Sequence, residues 1–314
     1  MTFKKLLAAS LFVAMAALSL SCKKDLDISG RKPDTPKEEE KKEEPSDIPT
    51  KPAEGSLKIV AHRGGSMECT FPDNSRASLK YAMSLKCYAS ECDIYWTKDN
   101  KVIVGHATSD YKLNGLKIWE HTLEEIQKAG KLKNGETMPS LEDFIDIVMV
   151  QGNCTRLWLD IKITDPTDYA IKAVQRACEI IKDKHAENFC EFICTSNGTV
   201  GTAAASCEAA YKIPVGWMAN TTPSSVIAKG FHWANLNAKN HMTPHGARTV
   251  DEFVKAGVDI SVFNVDKKGS TDGNAVTSDS DVAYYVQNYN QMKAVCTNYP
   301  AWFKQQLVSG GVVK

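Results

Sequence analysis

Neither sign of charge dominates this sequence of 314 residues: Lys+Arg and Asp+Glu each number 38. A chain with no global field is not drawn to nucleic acid or to an anionic membrane surface, so any site for a charged small molecule has to be local. Paired Cys-x-x-Cys spacings are missing as well. Cys190 and Cys194 lie four apart with no matching partner pair, which argues against a structural zinc site. No glycine-rich dinucleotide fingerprint follows the first apolar run of the globular part, which counts against an open dinucleotide-binding sheet. The N-terminal apolar run, residues 6–20, is too short and wrongly flanked for a spanning helix.

That run reads instead as a signal peptide, residues 1–22, with Lys4 and Lys5 ahead of it and Ser21-Cys22 behind it. Ser19-Leu20-Ser21-Cys22 resembles a bacterial lipoprotein processing site, at which Cys22 becomes the lipidated N-terminus; the alternative is an ordinary cleaved signal with an incidental Cys22. Either way the mature chain is expected to be exported, and the lipoprotein reading anchors it to the bacterial outer membrane on its periplasmic or cell-surface side. Residues 23–55 are rich in Lys, Glu, Asp and Pro and almost free of aromatics. Such a stretch cannot bury enough apolar surface to offset its ordering entropy and is expected to be a solvated tether. Of ten cysteines, nine follow Cys22, an odd number. Export permits disulfides. Cys87, Cys92, Cys178, Cys194 and Cys296 sit inside apolar runs and read as small buried thiols.

From residue 56 to 314 short apolar runs alternate with helical patterns. Strands are expected at 58–61, 89–96, 102–106, 157–163, 191–196, 215–219, 233–238, 260–265 and 294–298. Helical stretches are expected at 75–85, 141–150, 169–184, 200–211 and 250–256. Strand–helix alternation at this spacing implies parallel strands with crossover helices, hence an α/β protein. About eight such units fit a single (β/α)₈ TIM barrel better than an open sheet.

In such a barrel the chemistry is carried at the C-terminal ends of the strands. The first run ends in His62-Arg63-Gly64-Gly65; the second holds Glu91 and Asp93 around Cys92; the third ends in His106; the fourth ends in Asp160 and Lys162. Period-two spacing sets Glu91 and Asp93 on one face of their strand, and Asp160 and Lys162 on one face of theirs. Three carboxylates converging on a barrel mouth repel unless a cation neutralises them, and an all-oxygen ligand set favours a hard divalent ion, Mg²⁺ or Ca²⁺. Such an ion can screen a phosphate diester and stabilise charge in its transition state. Arg63 and Lys162 suit the remaining phosphoryl oxygens. His62 and His106 suit acid–base work near neutral pH, one taking a proton from the attacking hydroxyl and the other giving one to the leaving alkoxide. Gly64 and Gly65 are expected to let backbone approach the substrate. Trp217 reads either as a stacking surface or as core.

These segments, in this order, resemble the glycerophosphodiester phosphodiesterase family. The resemblance rests on His62-Arg63-Gly64-Gly65, 71–75, Glu91-Cys92-Asp93 with Thr97-Lys98-Asp99, Val104-Gly105-His106, 110–115, 138–142, 159–162, Phe263-Asn264-Val265 and 296–300; it also sets Thr195-Ser196 where the family often has Ser-Phe. It covers residues 58–302. It implies a β/α barrel that hydrolyses glycerophosphodiesters to glycerol 3-phosphate and an alcohol. By position it makes His62 and His106 the acid–base pair, Glu91, Asp93 and Asp160 the metal ligands, and Arg63 and Lys162 the phosphate binders. Several positions depart from the family pattern. Asp160 stands for a Glu and is one methylene shorter, Ala107 stands for an Asp, Phe263 stands for a Trp, and Asp73 and Ser75 replace similar residues. Two other readings share the pattern: a related barrel that acts on another phosphodiester or forms a cyclic phosphate, and a surface lipoprotein that binds a ligand without turnover. The expected partners are a small-molecule diester and, through the N-terminal lipid, a membrane. Nucleic acid is not expected, and no feature bears on subunit number.

Overall fold

The computed structural model of the protein describes residues 48–195, 198–271 and 275–314. The signal segment 1–22, residues 23–47 of the tether and Ser196 lie outside the described residues. The elements run from β1 (Leu57–Ala61) through α1 (Arg76–Ser84), β2 (Cys87–Trp96) and β3 (Val102–Val104). A two-residue pair follows, β4 (Lys112–Leu113) with β5 (Leu116–Lys117), then α2 (Leu123–Ala129) and α3 (Leu141–Val148). Next come β6 (Arg156–Ile161), α4 (Asp168–Asp183), β7 (Cys190–Thr195), α5 (Gly198–Tyr211), β8 (Val215–Met218) and α6 (Pro223–Ala228). The chain closes with β9 (Trp233–Asn237), α7 (Val250–Lys255), β10 (Asp259–Phe263), α8 (Asp279–Gln287), β11 (Ala294–Thr297) and α9 (Pro300–Ser309).

The parallel strands β1, β11, β10, β9, β8, β7, β6 and β2 pair in that order, and β2 returns to β1, closing the barrel. The expected (β/α)₈ architecture is therefore the observed one. The expected third strand, 102–106, is corrected. Its ordered part, β3, pairs antiparallel with the far end of β2 (Ile94 with Val104, Trp96 with Val102) and forms no part of the barrel. The connection from Trp96 to Val102 is a short turn, and a turn of that length cannot carry a parallel crossover.

Alternation of side chains along the strands divides the apolar residues into two sets. Cys92, Ile94, Leu157, Leu159 and Ile161 pack outward under the helices, while Val60, Ala89, Trp158, Ile193, Trp233 and Cys296 fill the barrel. Trp158 and Trp233 lie with ring centroids 5.6 Å apart. Gly216 leaves room for them: a Cβ at that position would fall 2.2 Å from the Trp233 indole. Trp217, the next residue, stacks on Phe231 on the helix side and is core rather than a substrate platform. At the lower end of the barrel Glu191 accepts hydrogen bonds from Tyr88 and the Trp158 indole and pairs with Lys293, so its buried charge is satisfied. Cys178, expected as a buried thiol, is instead bonded to Cys207 and joins α4 to α5. Residues ahead of β1 are already held against the barrel, with Ala53 donating to the Asn153 carbonyl at 2.7 Å.

Gly216→Val should overpack the barrel and lower stability by about 1–3 kcal/mol in denaturant unfolding. A variant as stable as the wild type would show that the interior is not filled as described.

Candidate active site

The register of β2 with β6 sets Asp93 directly beside Asp160, and Glu91 beside Trp158 one pleat deeper. Glu91, Asp93 and Asp160 each present a carboxylate oxygen, and these oxygens lie within 4.8 Å of one another. The shorter Asp160 side chain thus still reaches the cluster. Relative exposures of 2%, 0% and 4% mean that water does not neutralise these charges, so protein or a bound ion has to. Lys162, projecting just beyond β6, places Nζ 2.5 Å from Asp160 Oδ2 and 2.7 Å from Asp93 Oδ1. Arg63 Nε is 3.2 Å from Asp93 Oδ2, and the Arg63 backbone amide donates to Glu91 Oε2 at 2.9 Å.

The cluster sorts its members by environment. Burial, then the Asp93 and Asp160 charges, push the Glu91 carboxyl well above the usual carboxylate range. Burial also works to raise Asp93, but the Lys162 and Arg63 cations outweigh it and hold the group down at about 2. Lys162 is desolvated too, yet Asp160, Asp93 and Glu91 keep it firmly protonated.

Two backbone devices aim these groups. Arg63 follows β1 in the left-handed region, at φ 49° and ψ 34°, which an Arg adopts only under constraint from its surroundings. Its own backbone bonds hold it there, the amide donating to Glu91 and the carbonyl accepting from the Asn74 amide at 3.3 Å, while Asp73 orients the guanidinium, accepting from Arg63 Nη1 at 3.1 Å and from the Ser66 hydroxyl. Asn74, also left-handed at φ 56°, donates through Nδ2 to Asp93 Oδ2 at 2.8 Å and accepts from the Asp93 amide. The Ser75 cap then starts α1, with its hydroxyl accepting from the Ser78 amide. Gly64 and Gly65 are approached closely by helices. Added Cβ atoms would strike Ser78 of α1 at 2.4 Å and Pro300 of α9 at 2.7 Å, so these glycines let the loop pack on helices.

His62 ends β1 and is oriented from behind. Asp266, fully buried, accepts from the Asn298 amide and from Asn298 Nδ2, each at 2.7 Å, and from the Thr297 hydroxyl at 2.9 Å. With its amide nitrogen so engaged, Asn298 turns Oδ1 outward to accept from His62 Nδ1 at 2.6 Å. Nε2 of His62 is left as the bare nitrogen, 3.8 Å from Glu91 Oε2. Burial and the Arg63 cation lower the His62 pKa. His106 reaches the same region from the excursion after β3 rather than from a neighbouring barrel strand. The amide of Gly105 donates to the Asp93 carbonyl at 3.0 Å, and His106 comes close enough that its charge acts on Asp93. Desolvation and Arg63 lower its pKa as well.

All seven residues singled out from sequence therefore meet at one barrel mouth. Asn74, Asp73, Asn298 and Asp266 were not given roles from sequence. The first three lie in segments that carry the family resemblance, whereas Asp266 sits in the loop after β10 with no local signal. Beside His106 the mouth opens into a cavity of about 670 Å³ between the β1–α1 loop and the excursion after β3. The donor set suits a hard divalent ion. Asp160 Oδ1 is buried without a hydrogen-bond partner, and Asp93 Oδ1 has an ion pair but no hydrogen bond.

The model of the glycerophosphoryl diester phosphodiesterase family matches residues 62–301, from the first histidine to the start of the last helix. The chain belongs to that family. Over 98 residues it is 35% identical to a glycerophosphodiester phosphodiesterase of Caldanaerobacter subterraneus, a match spanning 29% of this chain and 40% of that relative's length. The fold is shared with a solved glycerophosphodiester phosphodiesterase of Parabacteroides distasonis (TM-score 0.64, 21% identity, 82% of this chain and 100% of that one). It is shared also with an Oleispira antarctica phosphodiesterase solved with the product sn-glycerol-3-phosphate (TM-score 0.58, 18% identity, 81% and 97%).

Asp266→Ala would leave the Asn298 amide, its side-chain Nδ2 and the Thr297 hydroxyl without their shared acceptor. A loss of about 2–4 kcal/mol is expected in denaturant unfolding; a change below about 0.5 kcal/mol would mean that the carboxylate does not organise this corner.

Proposed function

We propose that this family member hydrolyses glycerophosphodiesters to glycerol 3-phosphate and an alcohol, with a divalent ion and the His62–His106 pair. The observation that carries this reading is the convergence of two histidines on a buried carboxylate cluster that holds two cations and an unpartnered oxygen. The Oleispira structure, which contains sn-glycerol-3-phosphate, supports the substrate class.

Glu91, Asp93 and Asp160 would hold the ion. When bound it would supply positive charge against the phosphodiester and its transition state, as Mg²⁺ or Ca²⁺ can. Lys162 and Arg63 now neutralise Asp93 and Asp160. With an ion bound, Arg63 and Lys162 would be free to hold phosphoryl oxygens, Arg63 as a fork and Lys162 as a point charge. His62, its Nδ1 proton fixed on Asn298, keeps a lone pair at Nε2 to accept a proton from the attacking water as its oxygen bonds to phosphorus. His106, on the solvent side, is placed to protonate the alkoxide as its bond to phosphorus breaks. Burial lowers the pKa of His62, which favours the neutral imidazole that accepts a proton.

The mature enzyme is further proposed to be exported and held by lipid on Cys22 at the bacterial outer membrane, on its periplasmic or cell-surface side, with the part of the charged segment ahead of the docked residues 48–55 as tether. The signal-like residues 1–22 support this. Among the described residues no helix is long and apolar enough to cross a membrane.

Release of glycerol 3-phosphate from glycerophosphoglycerol should depend on Mg²⁺ or Ca²⁺ and stop with chelator; full activity in chelator would remove the ion from the mechanism. His62→Ala and His106→Ala should each lower kcat by about 10²–10⁴-fold while the barrel still unfolds cooperatively. Near-normal turnover in either would sink that residue's role. Because an ion has to displace the proton that Glu91 favours, affinity for it should weaken as pH falls. Calorimetric titration with Mg²⁺ or Ca²⁺ at several pH values tests this, and affinity independent of pH would contradict it.

A further inference from the structure

We propose that the cavity beside His106 receives the alcohol half of the diester and selects alcohols that carry a second anionic group, a phosphate monoester or a carboxylate. This rests on the phosphodiesterase reading above, and it names the substrates of that same site.

The cavity's position sets it beside the chemistry. His106 and Asp73 line it, while Glu91, Asp160 and His62 do not, so a ligand there approaches the carboxylate cluster from the His106 side. Its volume of about 670 Å³ falls in the range of small-molecule sites. The charge of its walls is one-sided. Lys112, Lys131 and Lys133 line it, and Asp73 is the one carboxylate among the described lining residues. Asp73 is already engaged by Arg63 and Ser66. Lys112 pairs with Asp110 at 2.6 Å. Lys131 and Lys133 are exposed and have no acidic partner among the described residues. The cavity thus offers two uncommitted ammonium groups and no uncommitted carboxylate.

A choline or ethanolamine head group would meet the wrong sign of charge here. A quaternary ammonium is held by aromatic faces or by carboxylate, and Phe71 is the one Phe, Tyr or Trp among the described lining residues. A neutral polyol would fit the space but leave both lysines unused. An alcohol with its own phosphate or carboxylate satisfies them, and it does so without drawing on Arg63 or Lys162, which are needed at the scissile phosphate. The excursion after β3 therefore adds a second anion subsite to the barrel mouth, with Lys131 and Lys133 as its specificity-determining residues.

The test compares kcat/KM of the full chain for four diesters at low salt: glycerophosphoinositol 4-phosphate, glycerophosphoglycerate, neutral glycerophosphoglycerol and cationic glycerophosphocholine. The two anionic diesters should be preferred over glycerophosphoglycerol by about tenfold, a preference that shrinks as salt is raised. Their relative rates distinguish phosphate from carboxylate as the favoured group. In the double variant Lys131→Glu/Lys133→Glu the ratio of anionic to neutral kcat/KM should fall by about tenfold or more, and in Lys131→Ala/Lys133→Ala by less. Turnover of glycerophosphoglycerol with no anionic preference, or with a preference unmoved by both variants, overturns the subsite and leaves the phosphodiesterase reading intact. A preference for glycerophosphocholine overturns it as well. No turnover of any of the four overturns that reading and the subsite with it.

Discussion

Three buried carboxylates with oxygens within 4.8 Å of one another would drive each other apart, and most of the barrel mouth is arranged around preventing that. Lys162 bridges Asp93 and Asp160, Arg63 covers the other side of Asp93, and an amide hydrogen from Arg63 reaches Glu91. The compensation is uneven. Asp93 is held strongly ionised while Glu91 is pushed toward its protonated form. One oxygen of Asp160 is left with nothing to accept from. A site with that imbalance favours another positive charge, and a hard cation answers all three features together.

The rest of the fold serves that cluster at a distance. Parallel closure brings β2 beside β6 in a register that aligns Asp93 with Asp160, and a slip of β2 by one residue would turn Glu91 and Asp93 into the helix layer. Tryptophans filling the barrel beneath, admitted by Gly216, exclude water from the floor of the site. Around the rim the supporting contacts are polar and directional. Asn74 fixes Asp93, Asp73 fixes Arg63, and Asp266 through Asn298 fixes the tautomer of His62. Each rim residue sets the direction of a reactive group, and Asn74 and Asp266 do so while satisfying buried ones.

Much of this was legible in sequence because strands report their geometry with a period of two. Glu91-Cys92-Asp93 and Asp160-Ile161-Lys162 declare their faces without any knowledge of neighbours, and so do strand ends that close in His62. What sequence did not reveal has a common cause. Asn74 meets Asp93 across 19 residues and Asp266 meets Asn298 across 32, through loops whose paths no local pattern fixes. Val102 to His106 carries the apolar signature of a barrel strand, and only the shortness of the turn before it betrays an antiparallel partner. Cys178 shows the same ambiguity, since a half-cystine under a helix has the same apolar surroundings as a buried thiol. Gly64 and Gly65 were legible as glycines that something must approach closely; that the approaching groups are Ser78 and Pro300 depends on helix placement.

Glu91, Asp93 and Asp160 are proposed to form a cation site from which Lys162 is displaced. A crystal structure of the enzyme grown with Mn²⁺ as an anomalous stand-in, with data collected at the manganese edge, tests it most directly. One anomalous peak in contact with all three carboxylates is expected, with Lys162 Nζ withdrawn from Asp160. A peak held by other residues, or an undisturbed Lys162–Asp160 pair with no peak between the carboxylates, would contradict it.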